Sequence, residues 1–198
     1  MRARTVAALL AAGATGYALT VQGKLTLDTG VGRRFRPLSC PPVEVAAPRD
    51  VVFDVLTAPY AVRQSRAMAE KVQVLERGSD MLLAAHRTPV RAGLVATTVE
   101  TVRFSRPERI EFRLLRGPVP YVVEAFDLEE LDAVTDPDGT APSRTLVTYS
   151  GQLGTDFWGL GGWWGALVSA SWESTVAASL AAARVEAERR FQSRPLSS

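Results

Sequence analysis

The chain has 198 residues but only one cysteine, Cys40, and only one histidine, His86. A single cysteine excludes an intramolecular disulfide and a metal cluster held by thiolates. A single histidine excludes a histidine-rich metal site and leaves one imidazole for acid–base chemistry. We therefore expect no metal site, and any imidazole that takes part in the function has to be that of His86.

The common motifs of nucleotide-binding and hydrolytic sites are also missing. The chain has no P-loop, no G-x-G-x-x-G after a strand, no HExxH and no G-x-S-x-G. The run GLGGWWG at 159–165 fits neither nucleotide pattern, and we interpret it as a turn into a helix. A nucleophilic triad is not expected, because the lone histidine lies in a predicted strand without a strong partner signal. The sequence therefore predicts no cofactor.

Basic residues are concentrated near the N-terminus, although the formal net charge of the whole chain is only +2. Residues 1–36 contain six basic residues and one acidic residue, which leaves 17 basic and 20 acidic residues for the rest. Nucleic-acid binding requires a basic face that neutralises phosphates. A mildly acidic body offers no such face, so we expect no nucleic-acid partner.

The N-terminal segment, residues 1–24, contains a long uncharged stretch. The 19 residues between Arg4 and Lys24 would measure roughly 28 Å as a helix, which barely spans a bilayer. Three interpretations remain open: a membrane anchor, a cleaved signal peptide and a soluble helix. The anchor predicts a membrane-associated protein with a single N-terminal segment, and the basic residues on both flanks leave the side of the membrane open.

The rest of the chain divides into a linker, one domain and a tail. Residues 25–42 are typical of a linker because they end in prolines, namely Pro37 and the pair Pro41-Pro42. Residues 43–192 are long enough for one core of ordinary size. Residues 193–198 are expected to be a short tail.

Hydrophobic periodicity predicts an α+β domain. A short strand at 43–46 precedes a helix for which Asp50 is a plausible cap, and Pro59 ends that helix before a second short one at 60–70. From 71 to 153 apolar and polar residues alternate with a period of two, interrupted by short turns. This pattern predicts strands that pair antiparallel as a meander.

The last predicted element is one long amphipathic helix over 163–191, which contains no proline. Its apolar residues recur at a spacing of four: Trp164, Val168, Trp172, Val176 and Leu180. At about 29 residues the helix is more than twice the usual length. We expect the apolar stripe to face the sheet.

Three stretches resemble one known superfamily. They are VEVAAPRDVVFDVLTAPY at 43–60, RPERIEFRLLRGPV at 106–119 and TLVTYSGQLG at 145–154. These stretches are similar to the START-like, or SRPBCC, helix-grip superfamily, which includes polyketide cyclases and dehydrases, lipid-transfer domains and quinone-binding proteins. The resemblance implies a curved antiparallel sheet of about six to seven strands wrapped around a long C-terminal helix, with two short helices after the first strand. It carries over no catalytic residue.

A helix-grip fold implies an apolar cavity between the sheet and the helix, and seven residues are candidates for its lining. They are His86, Phe112, Glu124, Phe126, Tyr149, Val168 and Trp172. An inward Glu124 would have to be paired or neutral at pH 7, and it could bind or protonate a ligand carbonyl. Alternatively, Glu124 faces water or pairs with an arginine such as Arg113.

The other polar candidates also allow two interpretations each. His86 could be a base in the cavity, or it could face solvent or bond to a loop carbonyl. Tyr149 could donate its hydroxyl to a ligand, or it could be a core ring with a solvated tip. Trp172, in the middle of the apolar stripe, is expected to be largely buried in the core.

Two main functions follow from these residues. The first is a membrane-tethered carrier or sensor that binds a hydrophobic small molecule such as a lipid, a quinone or a polyketide. The second is a cyclase or dehydratase that acts on a polyketide-like or aromatic substrate, with Glu124, His86 or Tyr149 as acid–base groups. The sequence favours the first, because it shows no coherent set of titratable residues, and a purely structural role remains open.

Overall fold

The computed structural model describes residues 2–90, 93–131 and 144–193. The helices are α1 (Arg2–Val21), α2 (Arg49–Thr57), α3 (Arg66–Lys71) and α4 (Trp158–Gln192). The strands are β1 (Arg34–Ser39), β2 (Val43–Val45), β3 (Val72–Arg77), β4 (Met81–Pro89), β5 (Val95–Ser105), β6 (Arg109–Arg116), β7 (Tyr121–Leu131) and β8 (Arg144–Thr155). Of the predicted tail, only Ser193 belongs to the described residues.

The eight strands form one antiparallel sheet in the order β1-β8-β7-β6-β5-β4-β3, with β2 paired to β8 beyond the end of β1. Strands β3 to β8 pair with their sequence neighbours, as the period-two pattern and short turns predicted. With the long helix α4 and the short helices after β2, this confirms the predicted α+β helix-grip architecture. The sheet has one strand more than the expected six to seven.

The additional strand, β1, lies inside the segment 25–42 that the prolines suggested was a linker. Pro37 is in the middle of this strand, opposite Gln152 of β8. Proline is compatible with an edge strand because its missing N–H is not needed on the side that faces solvent. The segment therefore contributes to the sheet instead of only connecting two parts of the chain.

The residues just before β1 are held to the start of α4 by Asp156. The carboxylate of Asp156 accepts hydrogen bonds from the backbone N–H groups of Thr29 and Gly30 and from the guanidinium of Arg33. The Arg33 bond is the main cause that holds the pKa of Asp156 well below its ordinary value. This buried anion fixes residues 29–33 against the domain.

The short helices follow the prediction with one difference at a cap. Asp50 was the expected cap of α2, but the N-cap is Pro48. Asp50 lies in the first helical turn, where its negative charge interacts favourably with the positive end of the helix dipole. The second predicted helix, 60–70, is a 3-10 turn at Ala58–Tyr60 followed by α3. Ser65 caps α3 by accepting a hydrogen bond from the backbone of Met68.

The core lies between the inner face of the sheet and the helices α2 and α4. Helix α4 packs against α2, β1, β2 and β8, and it begins at Trp158, five residues before the predicted start. Val176 and Leu180 of the predicted stripe are buried, whereas Trp164, Val168 and Trp172 pack against the core but are only partly buried. The stripe therefore faces the sheet, although Trp172 is less buried than expected.

Helix α1 forms but does not have the properties of the expected membrane anchor. Its 20 residues consist mainly of alanine and glycine, with only three leucines, so it gains little from transfer into lipid. Among the residues described by the structure, no helix is both long enough and apolar enough to cross a membrane. The prediction that this segment makes the protein membrane-associated is therefore wrong, and a membrane partner has no support.

Candidate functional site

The polar candidates share the inner face of the sheet, because residues directly opposite each other in antiparallel strands point the same way. Glu124 of β7 lies opposite Phe112 of β6 on one side and opposite Gly151 of β8 on the other. Two residues along β7, Phe126 lies opposite Tyr149. Four candidate residues are thus neighbours on one surface that faces α4.

Glu124 accepts hydrogen bonds from two of the predicted residues. The hydroxyl of Tyr149 and the indole Nε1 of Trp172 both donate to Oε2 of Glu124, with a separation of 2.6 Å for the indole. Gly151 leaves space beside the carboxylate, since a Cβ there would lie 2.8 Å from the Cβ of Glu124. Glu124 therefore points inward and is bonded to an aromatic pair, not to an arginine such as Arg113.

The environment of Glu124 favours its neutral form. Burial is the main cause that raises the pKa of Glu124 from 4.5 to about 7, and the negative charge of Glu100 acts in the same direction. The hydrogen bonds from Tyr149 and Trp172 and the charge of His86 oppose this rise, because they stabilise the carboxylate. The result is a carboxyl group that changes its protonation state near neutral pH.

A second polar cluster is formed by His86 of β4, Glu100 of β5 and Tyr60. The hydroxyl of Tyr60 lies 3.0 Å from His86 Nε2, and His86 Nδ1 lies 3.2 Å from Glu100 Oε2. The side chain of Glu100 is only 6% exposed and that of His86 18% exposed. His86 therefore neither faces solvent nor bonds to a loop carbonyl; it points towards the interior between two polar side chains.

The charge of Glu100 raises the pKa of His86. Burial by itself would lower the pKa of His86, but the neighbouring carboxylate of Glu100, with a smaller contribution from Glu124, raises the pKa above its ordinary value of 6.5. Burial and the same pair of carboxylates raise the pKa of Tyr60, so its hydroxyl stays protonated. The cluster thus places the protonated hydroxyl of Tyr60 and an imidazole with a raised pKa beside the buried side chain of Glu100.

Aromatic rings connect the two polar clusters along the sheet. The ring of Tyr60 lies 5.8 Å from that of His86 and 6.4 Å from Phe112, measured between centroids. Phe126 follows at 5.7 Å from Phe112, and Tyr149 at 5.4 Å from Phe126. This aromatic row, whose neighbouring rings are tilted by 42–89° to one another, runs from the Glu100–His86 pair to the Glu124 carboxylate.

Several of the predicted lining residues are only partly covered although they lie between the sheet and α4. Phe112, Glu124, Phe126, Val168 and Trp172 all keep some accessible surface. Helix α4 approaches β1, β2 and β8 more closely than it approaches β4 to β6. These observations are those expected if the residues line an interior space, and the predicted apolar cavity stays a prediction.

A separate groove of about 280 Å³ lies on the outside of the domain. It is lined by Cys40, Pro41, Pro42, Val43, Ala177, Ala181 and Arg184. None of these residues belongs to either polar cluster. The groove therefore has no part in the chemistry described here for Glu124 and His86.

Sequence reasoning missed two members of the site, Glu100 and Tyr60. The alternation along β5 places Thr98, Glu100 and Val102 on one face, so the pattern contained a signal for an inward acid. The contact between Tyr60 and His86 joins residues that are 26 positions apart. No local pattern predicts such a contact.

Solved structures identify the fold. The Zhui aromatase/cyclase from Streptomyces sp. R1128 superposes with a TM-score of 0.60 at 24% identity, over 79% of this chain and 96% of that one. This chain has the START-like, or SRPBCC, helix-grip fold. The resemblance inferred from the three sequence stretches is thereby confirmed at the level of the fold.

Two further helix-grip structures agree with this result. A protein from Thermus thermophilus superposes with a TM-score of 0.54 at 14% identity, covering 77% of this chain and 97% of its own. The di-domain ARO/CYC BexL of the BE-7585A biosynthetic pathway gives 0.52 at 16% identity, covering 83% of this chain and 52% of BexL. No family model and no curated protein matches the sequence.

Proposed function

We propose that this helix-grip protein is a cyclase- or dehydratase-type enzyme that acts on a polyketide-like or aromatic substrate, with Glu124 as its acid–base group. The observation that carries the proposal is the position of Glu124, an inward carboxyl on an aromatic face with a pKa of about 7. A group whose pKa lies near the working pH can both accept and donate protons. The similarity to aromatase/cyclase structures supports the same choice.

The proposed chemistry consists of redox-neutral proton transfers. In an aldol-type cyclisation, Glu124 removes a proton from a carbon beside a carbonyl, and the electron pair of that C–H bond forms a C–C bond to a second carbonyl carbon. The oxygen of the second carbonyl then takes up a proton. In the dehydration that follows, the new hydroxyl leaves as water with a proton from the acid, while the neighbouring carbon loses its proton to the base.

Tyr149 and Trp172 are positioning residues in this proposal. Both donate to the same oxygen of Glu124, which leaves the other oxygen free to meet a substrate. One donor comes from β8 and the other from α4, so the carboxyl is held from the sheet and from the helix. Such double support keeps an acid–base group within the narrow geometry that proton transfer requires.

The carrier function is the second candidate, and the aromatic row favours it. A wall of Tyr60, Phe112, Phe126 and Tyr149 would hold a flat apolar ligand whether or not a reaction follows. Burial of apolar surface contributes about 25 cal/mol per Å². The enzyme is preferred because the structure assembles titratable side chains whose grouping was not visible in the sequence.

Product analysis with Glu124→Gln separates the two candidates. Wild type and variant are incubated with aromatic polyketide substrates, and products are identified by mass spectrometry. We expect the variant to lose about 100-fold or more of the turnover rate while it stays folded, because the amide cannot transfer a proton. Glu129→Gln is the matched control, since Glu129 lies on the same strand but is exposed.

Each outcome decides between the candidates. Turnover that persists in Glu124→Gln removes Glu124 from the chemistry. Ligand binding by wild type without any product, unchanged in both variants, supports the carrier and contradicts the enzyme. Loss of turnover in Glu129→Gln to the same extent would show that the effect does not depend on the interior position of the carboxyl.

A further inference from the structure

The carboxylate of Glu100 is buried with fewer partners than a buried charge normally has. The residue is 5% exposed, and the one donor found beside it among the described residues is Nδ1 of His86, which lies 3.2 Å from Oε2 with poor hydrogen-bond direction. An ionised carboxylate offers about four acceptor positions, and burial without partners is costly. Glu100 therefore has acceptor capacity that the protein itself leaves unused.

The neighbouring His86 has a buried ring nitrogen without a well-directed hydrogen bond. Its Nδ1 atom is fully covered and is 3.2 Å from Glu100, but it makes no hydrogen bond with acceptable direction within the part of the chain that the structure describes. Its other nitrogen is held by the hydroxyl of Tyr60 at 3.0 Å. One bond thus fixes the ring, while the donor beside Glu100 lacks a well-aligned acceptor.

The Glu100–His86 pair and Glu124 lie at opposite ends of the aromatic row. The aromatic row begins at His86 and ends at Tyr149, which donates to Glu124. A flat ligand lying along that row would have one end near Glu124 and the other near Glu100. Both ends of the row are polar, and the wall between them is aromatic.

We propose that the Glu100–His86 pair is a second polar subsite of the same interior, which binds a hydroxyl donor, a phenol or an enol, at the end of the ligand away from Glu124. The hydroxyl donates to the unused acceptor positions of Glu100, next to the covered Nδ1 of His86. This proposal deepens the proposed function and rests on it, because both place the ligand along the aromatic row. It assigns Glu100 to binding and orientation, and not to proton transfer.

A donor fits the subsite better than a carbonyl does. A carbonyl oxygen cannot donate, so it would leave the acceptor positions of Glu100 unused and would place two acceptors side by side. A hydroxyl fills one of the acceptor positions of Glu100, and hydrogen bonds to a charged partner are the stronger kind. The subsite is therefore expected to bind a hydroxyl more tightly than the corresponding methyl ether, which has no proton to donate.

Binding of 2-naphthol and of 2-methoxynaphthalene tests the subsite. The two probes have the same ring system and the same oxygen, but only the naphthol can donate. Their dissociation constants are measured by calorimetry on the full chain in wild type, Glu100→Gln and Glu124→Gln. We expect wild type to prefer 2-naphthol about tenfold, which corresponds to about 1.4 kcal/mol. Glu100→Gln should reduce this preference to less than about threefold, and Glu124→Gln should keep it.

The single histidine provides a readout that needs no variant. With ring-labelled histidine, the only imidazole signal of the protein is that of His86. We expect saturating 2-naphthol to shift this signal, and 2-methoxynaphthalene to shift it clearly less, because the ether cannot donate to the Glu100 carboxylate that lies 3.2 Å from Nδ1 of His86. This measurement remains decisive if Glu100→Gln does not fold.

The two measurements give different results if the subsite is wrong and if the interior binding site itself is wrong. If both probes bind with equal affinity, or if the preference survives in Glu100→Gln, the subsite is wrong while an interior binding site stands. If neither probe binds and the His86 signal does not move, the interior binding site is contradicted, and the subsite falls with it.

Discussion

The indole Nε1 of Trp172 lies 2.6 Å from the Oε2 atom of Glu124, so a polar bond joins α4 to β7 in the middle of an apolar interface. Tyr149 donates to the same oxygen from β8. The three residues connect the helix, the centre of the sheet and a neighbouring strand. Their contact fixes the position of Glu124, and its two hydrogen bonds offset part of the rise that burial causes, so that the pKa of Glu124 lies near 7.

Trp172→Phe should destabilise the fold more at pH 8 than at pH 5. The ring remains, but at pH 8 the lost bond is one to an ionised carboxylate, worth about 1.5–3 kcal/mol, and at pH 5 it is a neutral bond worth about 0.5–1.5 kcal/mol. Denaturant unfolding at the two pH values measures the difference. Trp163→Phe is the control, because Trp163 is exposed on the same helix and should change stability by less than about 0.5 kcal/mol.

Glu124→Gln should remove a pH-dependent loss of stability. The pKa of Glu124 is raised in the folded state, from 4.5 to about 7, so between these values the folded protein holds a proton that the unfolded chain releases. Wild-type stability should therefore fall as the pH rises from about 4.5 to about 7, by at most about 3 kcal/mol from this group. The variant should show a flatter profile across the same interval. An equal decrease in both proteins would contradict the burial of Glu124.

Gly151→Ala should disturb the site without a change in any polar residue. A Cβ at this position would lie 2.7 Å from the carbonyl oxygen of Val123 and 2.8 Å from the Cβ of Glu124. Because a backbone atom is involved, β7 and β8 would have to shift, and we expect a loss of about 1–3 kcal/mol together with reduced turnover. Gly162→Ala in α4 meets open space and should be neutral or stabilising by up to about 1 kcal/mol.

Asp156→Asn should weaken the attachment of residues 29–33 to the domain. The side chain of Asp156 is only 1% exposed, and loss of its charge removes the buried partner of Arg33. We expect a decrease of about 2 kcal/mol or more in the free energy of unfolding, and faster proteolysis before β1. The control is Asp28→Asn, since Asp28 also contacts Arg33 but is 60% exposed and should change stability by less than about 1 kcal/mol.

The fold could be predicted from the sequence because its signals are local. Period-two alternation and short turns over 71–153 specify neighbouring antiparallel strands, and the spacing of four over 163–191 specifies one long helix. β1 was not predicted because Pro37 and the following pair Pro41-Pro42 are typical of a linker, and an edge position that tolerates proline is a property of the whole sheet. The expected membrane anchor was wrong because a stretch rich in alanine and glycine is only weakly hydrophobic, even where it lacks charge.

The site was only half predictable, because its contacts join distant parts of the chain. The face shared by Phe112, Glu124 and Phe126 followed from strand alternation. The bond between Glu124 and Trp172 spans 48 positions, and it depends on the rotation of α4 over the sheet. The pairing of β5 with β6 is regular from the turn to Glu100, but the contact of Glu100 with His86 of β4 depends on side-chain conformations that strand alternation does not give.

Titration of the Glu124 side-chain carboxyl by carbon NMR, with Glu124→Gln used to assign the signal, measures whether this residue can act as an interior acid–base group. If it can, the midpoint of the titration lies near pH 7. Saturation with an aromatic ligand should move that midpoint, because the ligand removes the remaining water from the carboxyl. A midpoint near 4.5, unchanged by ligand, would show a solvated carboxylate and contradict an acid–base role for Glu124.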